Sequence, residues 1–491
     1  MKAGFIIAES KPYELGNNIE KYIAEAKKLL ESDKELEAIV LPPNAIEGFH
    51  SGKIDDSMQV PYYLKNFSTL LSGFRKHIVY PSTLMGKVFD VYAGKIEVFD
   101  INENYTLCNI KLNFATSKHK IYNKENGGVS IAPLGFDGEK YYTGGCLAST
   151  ANKVKVLINE FQEGSIIIDT DTVFKECVTE AEDLDFVSVP SKKIPVEFNP
   201  AHTYKILTES VKKYFEHLGI KKAVVGLSGG IDSAVVAAIG VEALGKENVT
   251  GLLMPSEFST EHSVTDAEQL AKNLGIEYHL LPIKNIFGTF NETLKDVFAG
   301  KDFDVTEENI QARIRGTLVM SYANKFNAMA LNTSNKSELM VGYGTLYGDL
   351  VGSIGVIGDV FKTEVYKLAH YINRDKELIP EHILIKAPSA ELRPGQKDQD
   401  ALPEYEVLDK ILISFLYVMN ENGLIFNKAP LYEQIIEKHN KFYGYEPEPE
   451  TVKDTLKLIF RNFYKGKQVP PKIVLDNYPA ADLPLLFNIE I

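Results

Sequence analysis

The most constraining feature of the sequence is a short apolar run, Ala223-Val224-Val225-Gly226-Leu227. It breaks at Ser228-Gly229-Gly230 and passes straight into a helix-forming stretch, Ser233–Leu244. A run that is apolar at consecutive positions suits a strand covered on both faces. Such a strand needs helices above and below it, and the flanking segments supply them. Tyr204–Leu218 has an amphipathic helical pattern, Thr250–Met254 reads as the next strand, and the stretch around Ser263–Leu274 as a helix. Tyr278–Leu281 is a third strand, Thr306–Lys325 a long helix and Ala328–Leu331 a fourth strand. The alternation predicts an α/β fold with a doubly wound parallel sheet and ligands at the carboxyl ends of its strands.

Residues 1–190 have a different texture. Short β-like runs lie at Ala3–Ile7, Glu37–Leu41, His77–Tyr80, Lys95–Phe99, Thr106–Leu112, Lys153–Leu157 and Ser165–Ile168. One helical pattern, Glu20–Leu30, puts Ile23, Ala26 and Leu30 on one face, with Ile19 a turn earlier. The opening is therefore a βαβ-like unit. Val189–Pro200 holds three prolines and two adjacent lysines, which favours an extended linker. The expected organisation is a first domain at 1–190, a linker at 191–200 and a second domain at 201–491.

Composition narrows the function. Of 491 residues, 44% are hydrophobic and 24% charged, as in an ordinary globular protein. The formal net charge of −14 argues against a nucleic-acid partner. No apolar run approaches the ~18 residues of a membrane span, and the start, MKAGFIIAESKP, reads as a strand and not a signal peptide. Cys108, Cys146 and Cys177 are too few for a disulfide framework and are not spaced for zinc, so a cytoplasmic location is expected.

The loop Gly226-Leu227-Ser228-Gly229-Gly230-Ile231-Asp232-Ser233 carries the strongest chemical signal. Glycines allow close backbone approach, and the helix that follows offers free N–H groups and the positive end of its dipole. This makes an anion cradle suited to phosphate. It lacks the Gly-Lys-Ser/Thr ending of a Walker A loop and is not a dinucleotide fingerprint. It carries an acid instead, Asp232, placed where a Mg²⁺ bridging phosphate oxygens could be held.

Ser228–Ser233 resembles the loop of the ATP pyrophosphatase superfamily, whose members cleave ATP between the α- and β-phosphates and adenylate a substrate. Further motifs follow in order: Glu308–Arg313, Asn332–Glu338, Gly342–Asp349, Lys362-Thr363, Ala387–Asp400 and Tyr464–Pro471. Together they resemble the synthetase half of the glutamine-dependent NAD⁺ synthetases. The resemblance implies ATP-dependent amidation of nicotinic acid adenine dinucleotide through an acyl adenylate, releasing pyrophosphate and AMP. It further implies that Gly226, Leu227, Ser228, Gly229, Gly230, Ile231, Asp232, Ser233, Thr333, Lys362 and Ser389 bind ATP. Asp232 and Glu338 would hold Mg²⁺, and Asn309, Arg313, Glu338, Asp349 and Lys465 would surround the dinucleotide. Asp232 and Lys362 are the catalytic candidates. The family forms homodimers or larger homo-oligomers.

Residues 1–50 and Tyr142–Asp171 resemble the nitrilase-type glutaminase domain that partners this class, a family built on a Glu–Lys–Cys triad. The base glutamate would follow Pro42, where this chain has Pro43, and proline cannot accept a proton. Cys108 lies where the nucleophile strand would be, followed by Asn109-Ile110 where the family has Glu-Asp. No catalytic lysine can be assigned, and the segment is shorter than the resemblance implies. The expectation is a reduced, degenerate nitrilase-like α/β sandwich, with free ammonia as nitrogen donor. The alternative is an active glutaminase using Cys108. A different adenylating reaction on tRNA would favour a basic chain, and a scaffold that only binds nucleotide would not need Ser228, Asp232, Thr333 and Glu338 together.

Overall fold

A computed structural model describes residues 2–10, 15–43, 45, 77–82, 87–92, 95–100, 106–107, 110–114, 128–132, 134–136, 141–150, 153–169, 172–177, 179–180, 197–422, 430–475 and 477–479. The chain divides into two units, Met1–Lys193 and Ile194–Ile491.

In the first unit, Lys2–Ile7 runs parallel to Ala38–Val40, which runs parallel to His77–Ser82. Gly164–Asp169 on one side and Lys87–Tyr92 and Lys95–Asp100 on the other complete six strands in antiparallel pairings. The helix Leu15–Ser32 links the first two strands and is longer than its sequence pattern suggests. It buries Ile19, Tyr22, Ile23, Ala26 and Leu29 against Ile6, Ile39, Ile78, Tyr80 and Phe89. Leu29 takes the place expected for Leu30, and Tyr22 joins the buried stripe. Thr179–Glu180, Lys153–Ile158, Cys146–Thr150, Gly128–Ile131, Ile110–Phe114 and Thr106–Leu107 form a second six-stranded sheet. Cys146 is buried there, and burial pushes its thiol well above the ordinary range, so it packs as a small apolar side chain. Pro43 is buried just beyond Ala38–Val40. Cys108 lies outside the described residues.

The second unit begins with α1 (Pro200–Leu218). Asn199 caps it by accepting the His202 N–H at 3.0 Å, and Pro200 occupies the first turn, where no donor is missed. The helix thus starts inside the segment expected to be linker. The sheet strands are β1 (Lys222–Gly226), β2 (Val249–Leu253), β3 (Glu277–Leu280), β4 (Ala328–Asn332) and β5 (Ile354–Gly355). All pairings are parallel, in the order β3-β2-β1-β4-β5. The connections are α2 (Ile231–Leu244), α3 (Glu261–Leu274), α4 (Lys284–Leu294), α5 (Val305–Phe326) and α6 (Lys336–Val341). The order reverses between β1 and β4, which places the ligand crevice at their carboxyl ends. Ile231 and Ala234–Ile239 of α2 are all buried, as befits a helix covered on several sides.

After β5 the chain forms α7 (Lys362–Ile372) and, further on, the helices Tyr405–Asn422, Leu431–Tyr443 and Pro449–Asn462. The last three share a core in which Leu408, Phe415, Ile435 and Leu456 pack with Val341 and Phe361. The chain then returns to the sheet edge, where Lys472 bridges Gly355 and Ile473 N–H donates to the Gly355 carbonyl at 3.1 Å.

Candidate active site

A cavity of about 470 Å³ opens at the carboxyl ends of β1, β2 and β4, within the usual size of a ligand site. Its floor is the loop Gly226–Ser233. Gly229 has φ +76°, and a Cβ there would stand 2.3 Å from the Ser263 carbonyl oxygen. Only glycine lets the loop pass this close to the first turn of α3. Ser233 Oγ lies 3.2 Å from Ser228 Oγ and donates to the Gly230 carbonyl at 3.0 Å. Gly230 N–H donates to Ser228 Oγ at 3.2 Å. No side chain caps α2, whose N-cap is Gly230, so its first N–H groups face the cavity as anion donors.

Lys362, at the start of α7, is 3% exposed and pairs with Asp232 and, at 3.5 Å, with Glu338. Burial alone would lower its ammonium, but Asp232 and Glu338 more than offset that and hold it far above the ordinary value. Asn335 ties the two acids together. Its side chain donates to Asp232 Oδ1 at 3.0 Å and accepts the Glu338 N–H at 3.0 Å, while Glu338 accepts the Asn335 N–H at 3.2 Å. Glu338 is therefore both the capping-box acid of α6 and a member of the charge cluster. Asp398 also lines the cavity and accepts the hydroxyls of Tyr343 at 3.1 Å and Tyr405 at 2.9 Å.

Among the described residues no group of three or more His, Cys, Asp or Glu makes a metal cluster by itself. The donor set nevertheless fits Mg²⁺, which takes one or two carboxylates and completes its shell with phosphate oxygens and water. Burial, followed by the charge of Asp232, pushes the Glu338 carboxyl well up despite Lys362. Two acids thus compete for one lysine.

The cavity wall also includes Thr333, Asn309, Asp349, Ser389 and Lys465. Asn309 Oδ1 accepts from the Thr345 hydroxyl at 2.7 Å, and Asp349 Oδ1 accepts the Thr345 N–H at 2.7 Å. Lys465 donates to the carbonyls of Gly342 and Gly344, both at 2.9 Å. Ser389 Oγ donates to the Gln396 carbonyl and accepts the Glu391 N–H at 3.2 Å, so its hydroxyl is engaged within its own loop.

Arg313 is the one expected site residue that does not line the cavity. It is exposed, and its Nε donates to the Leu346 carbonyl at 3.3 Å. The cavity face of α5 is Glu308, Asn309, Ala312, Arg315, Gly316 and Val319, with Arg315 on one flank, and Arg313, about 200° around the helix from it, lies just past the other flank. Arg315, Lys386, Glu391 and Asp398 also line the cavity, outside the set of residues expected there from sequence, and Asn335 lies behind them. The i, i+4, i+7 spacing from Glu308 would have found Arg315.

Residues 203–443 match the family model described as NAD synthase. That stretch lies within the second unit. The chain is a homologue of the glutamine-dependent NAD⁺ synthetases: it is 49% identical to that of Thermotoga maritima over 276 residues, 56% of this chain and 45% of that protein. It is 47% identical to that of Aquifex aeolicus over 296 residues, 58% and 49% of the respective chains. The chain thus spans about half the length of the curated relatives it matches. The structure of the glutamine-dependent NAD⁺ synthetase from Acinetobacter baumannii, in complex with ADP, superimposes with TM-score 0.63 over 98% of this chain and 97% of that one at 24% identity. That from Cytophaga hutchinsonii gives 0.71 over 99% and 97% at 17% identity. At these identities the likeness is one of fold: an α/β unit followed by a parallel-sheet unit. Among the described residues no helix is long and apolar enough to cross a membrane.

Proposed function

We propose that the chain is an NAD⁺ synthetase, an AMP-forming carbon–nitrogen ligase acting on nicotinic acid adenine dinucleotide and ATP. What carries this reading is one cavity that joins the phosphate-cradling loop to the Asp232–Lys362–Glu338 cluster within the stretch matching NAD synthase. A substrate carboxylate oxygen attacks the α-phosphorus, the bond to the β-phosphate oxygen breaks, and pyrophosphate leaves with the electron pair. Ammonia then attacks the acyl carbon, AMP leaves, and the spare proton passes to solvent. Neither step needs a protein nucleophile, so positioning and charge neutralisation do the catalysis. The Gly226–Ser233 amides hold the phosphates and the Lys362 ammonium takes up charge on the leaving group. Thr333 sits against the adenosine, and Ser389 reaches the phosphates once its loop opens. Asn309, Asp349 and Lys465 contact the dinucleotide. Arg313 belongs to that set only if a substrate extends past the cavity mouth. Asp232 and Glu338 would hold Mg²⁺, which when bound shields phosphate charge. A homodimer or larger homo-oligomer in the cytoplasm completes the proposal.

For the nitrogen donor, the relatives' names favour glutamine over the free ammonia expected from sequence. Pro43, buried where the family's base would stand, favours ammonia. NAD⁺ formation is measured from nicotinic acid adenine dinucleotide, ATP and Mg²⁺ with either ammonium or ammonia-free glutamine. Activity with glutamine that vanishes in Cys108→Ala, while ammonium-driven activity persists, establishes the glutaminase. Activity with ammonium alone establishes the ammonia reading. No product with either donor refutes the synthetase.

A further inference from the structure

Four cations line the cavity, and three have obvious occupations. Lys362 is shared by Asp232 and Glu338, Lys386 pairs with Glu391 at 2.7 Å, and Lys465 is held by two carbonyls. Arg315 is different. Its Nε donates to the Met254 carbonyl at 2.9 Å, just past the carboxyl end of β2. Among the described residues its Nη groups have no hydrogen-bond partner and no carboxylate lies within 4 Å of them. The acids that act on it from farther away are Glu391 and Asp349. Both are already committed, Glu391 to Lys386, Ser263 and Thr260, and Asp349 to the Thr345 N–H. A guanidinium is a rigid planar fork suited to two oxygens of one anion. Here the fork is fixed at its root by Met254 and has its donors left over.

The position selects the anion. The loop and the α2 N-terminus stand at the end of β1, and Lys362 joins them through Asp232. Those groups cradle the part of ATP that leaves. Arg315 stands on α5, at the end of the neighbouring strand β2, beside an apolar wall of Met254 and Val319. It is thus set to meet the phosphoryl group that stays with the nucleoside.

We propose that Arg315 binds the α-phosphate of ATP and is a catalytic residue of the adenylation step, an inference that rests on the synthetase reading. As the substrate carboxylate bonds to the α-phosphorus and the bond to pyrophosphate breaks, the guanidinium neutralises charge on the two non-bridging oxygens. No proton is transferred. The same contact then holds the acyl adenylate until ammonia displaces AMP.

The test is exchange of labelled pyrophosphate into ATP in the presence of the acid dinucleotide, which reports adenylation without the ammonia step. Arg315→Gln is expected to lower the exchange rate at saturating ATP by about 100-fold or more, with Arg315→Lys recovering part of the loss. A contact to non-bridging oxygens also makes the wild type discriminate between the two diastereomers of ATP bearing sulfur on the α-phosphate, and this preference should shrink in Arg315→Gln. A purely structural role, through the Met254 carbonyl, would lower the melting temperature and leave the diastereomer preference intact. That result, or exchange within about threefold of wild type, overturns the proposal. If the wild type shows no dinucleotide-dependent exchange, the parent reading falls and this one with it. Wild-type exchange with an unaffected Arg315→Gln sinks the arginine assignment alone.

Discussion

Gly229→Ala tests the phosphate loop most directly. The new methyl would meet the Ser263 carbonyl oxygen at 2.3 Å and its Cα at 2.8 Å, on a backbone already at φ +76°. The left-handed conformation costs a residue with a Cβ about 1–2 kcal/mol. Relieving the contact requires the loop or the first turn of α3 to move by about 1 Å, and forced repacking of that kind costs a further 1–3 kcal/mol or so. If the loop stays in place, the strain appears as a loss of stability of a few kcal/mol. If it retreats, the loop amides move off the phosphates, and a displacement of about 1 Å costs on the order of 100-fold in rate. Either way the variant cannot match wild type in both melting temperature and kcat/KM for ATP. Gly219→Ala is the control. Gly219 has φ +66° at the end of α1 with nothing within 4 Å of a Cβ, so it should show the backbone strain alone, with unchanged kinetics. A Gly229→Ala enzyme equal to wild type in both measurements, or one no worse than Gly219→Ala, would refute the reasoning.

Other consequences are as specific. Lys362→Met leaves the half-buried Asp232 and Glu338 without their shared cation, so the variant should lose about 1–3 kcal/mol by denaturant titration without divalent ions and recover part of it with Mg²⁺; an unchanged midpoint counts against the cluster. Gly342 has φ +67°, and a Cβ there would lie 2.2 Å from Asn462 Cβ. Gly342→Ala should therefore displace the turn carrying Lys465 and raise KM for the acid dinucleotide about tenfold or more while leaving KM for ATP nearly alone. Glu364 is buried with its carboxyl pushed up to about 7 from 4.5, by desolvation that the Tyr478 and Phe361 hydrogen bonds only partly relieve. Its contribution is fully present below about pH 4.5 and is lost as pH rises through about 7, so by pH 8 it costs about 3 kcal/mol. Glu364→Gln should accordingly gain stability over wild type on going from pH 5 to pH 8; an equal difference at both would show that the carboxyl does not titrate as described.

Legibility in the sequence followed the range of the forces involved. β1, β2 and β4 were readable because each is a short, mostly apolar run bounded by turn chemistry, and their ends shifted by a residue or so. The Gly226–Ser233 loop was readable because close backbone approach requires glycine, whatever the neighbours. The helices Tyr405–Asn422, Leu431–Tyr443 and Pro449–Asn462 were not assigned, since their order follows from a core they build with Val341 and Phe361, far away in sequence. Arg313 and Arg315 show the limit within one helix. The helix supplies two arginines, and only the phase of α5 against the cavity separates the one that lines it from the one that meets Leu346. The role of Asn335 as the hydrogen-bonded link between Asp232 and Glu338 was not legible, because Asp232 is 103 positions distant.

The charge arrangement explains why the site can be so acidic and still take a polyanion. Asp232, Glu338 and Asp398 lie around one lysine, and desolvation pushes the carboxyls of Glu338 and Asp398 up. Left alone, such a cluster repels phosphate. It becomes attractive when a divalent ion neutralises the surplus and offers its remaining positions to phosphate oxygens. ATP binding should therefore be weak without Mg²⁺, and the dependence should steepen in Lys362→Met, where the surplus grows by one charge. The glycine loop and Arg315 lie outside that ring and need no metal to favour an anion. The site thus divides into a region conditional on a cation and a region that is not. The α-phosphate on Arg315 would belong to the second, which lets the adenylate stay bound after pyrophosphate, and any ion travelling with it, has gone.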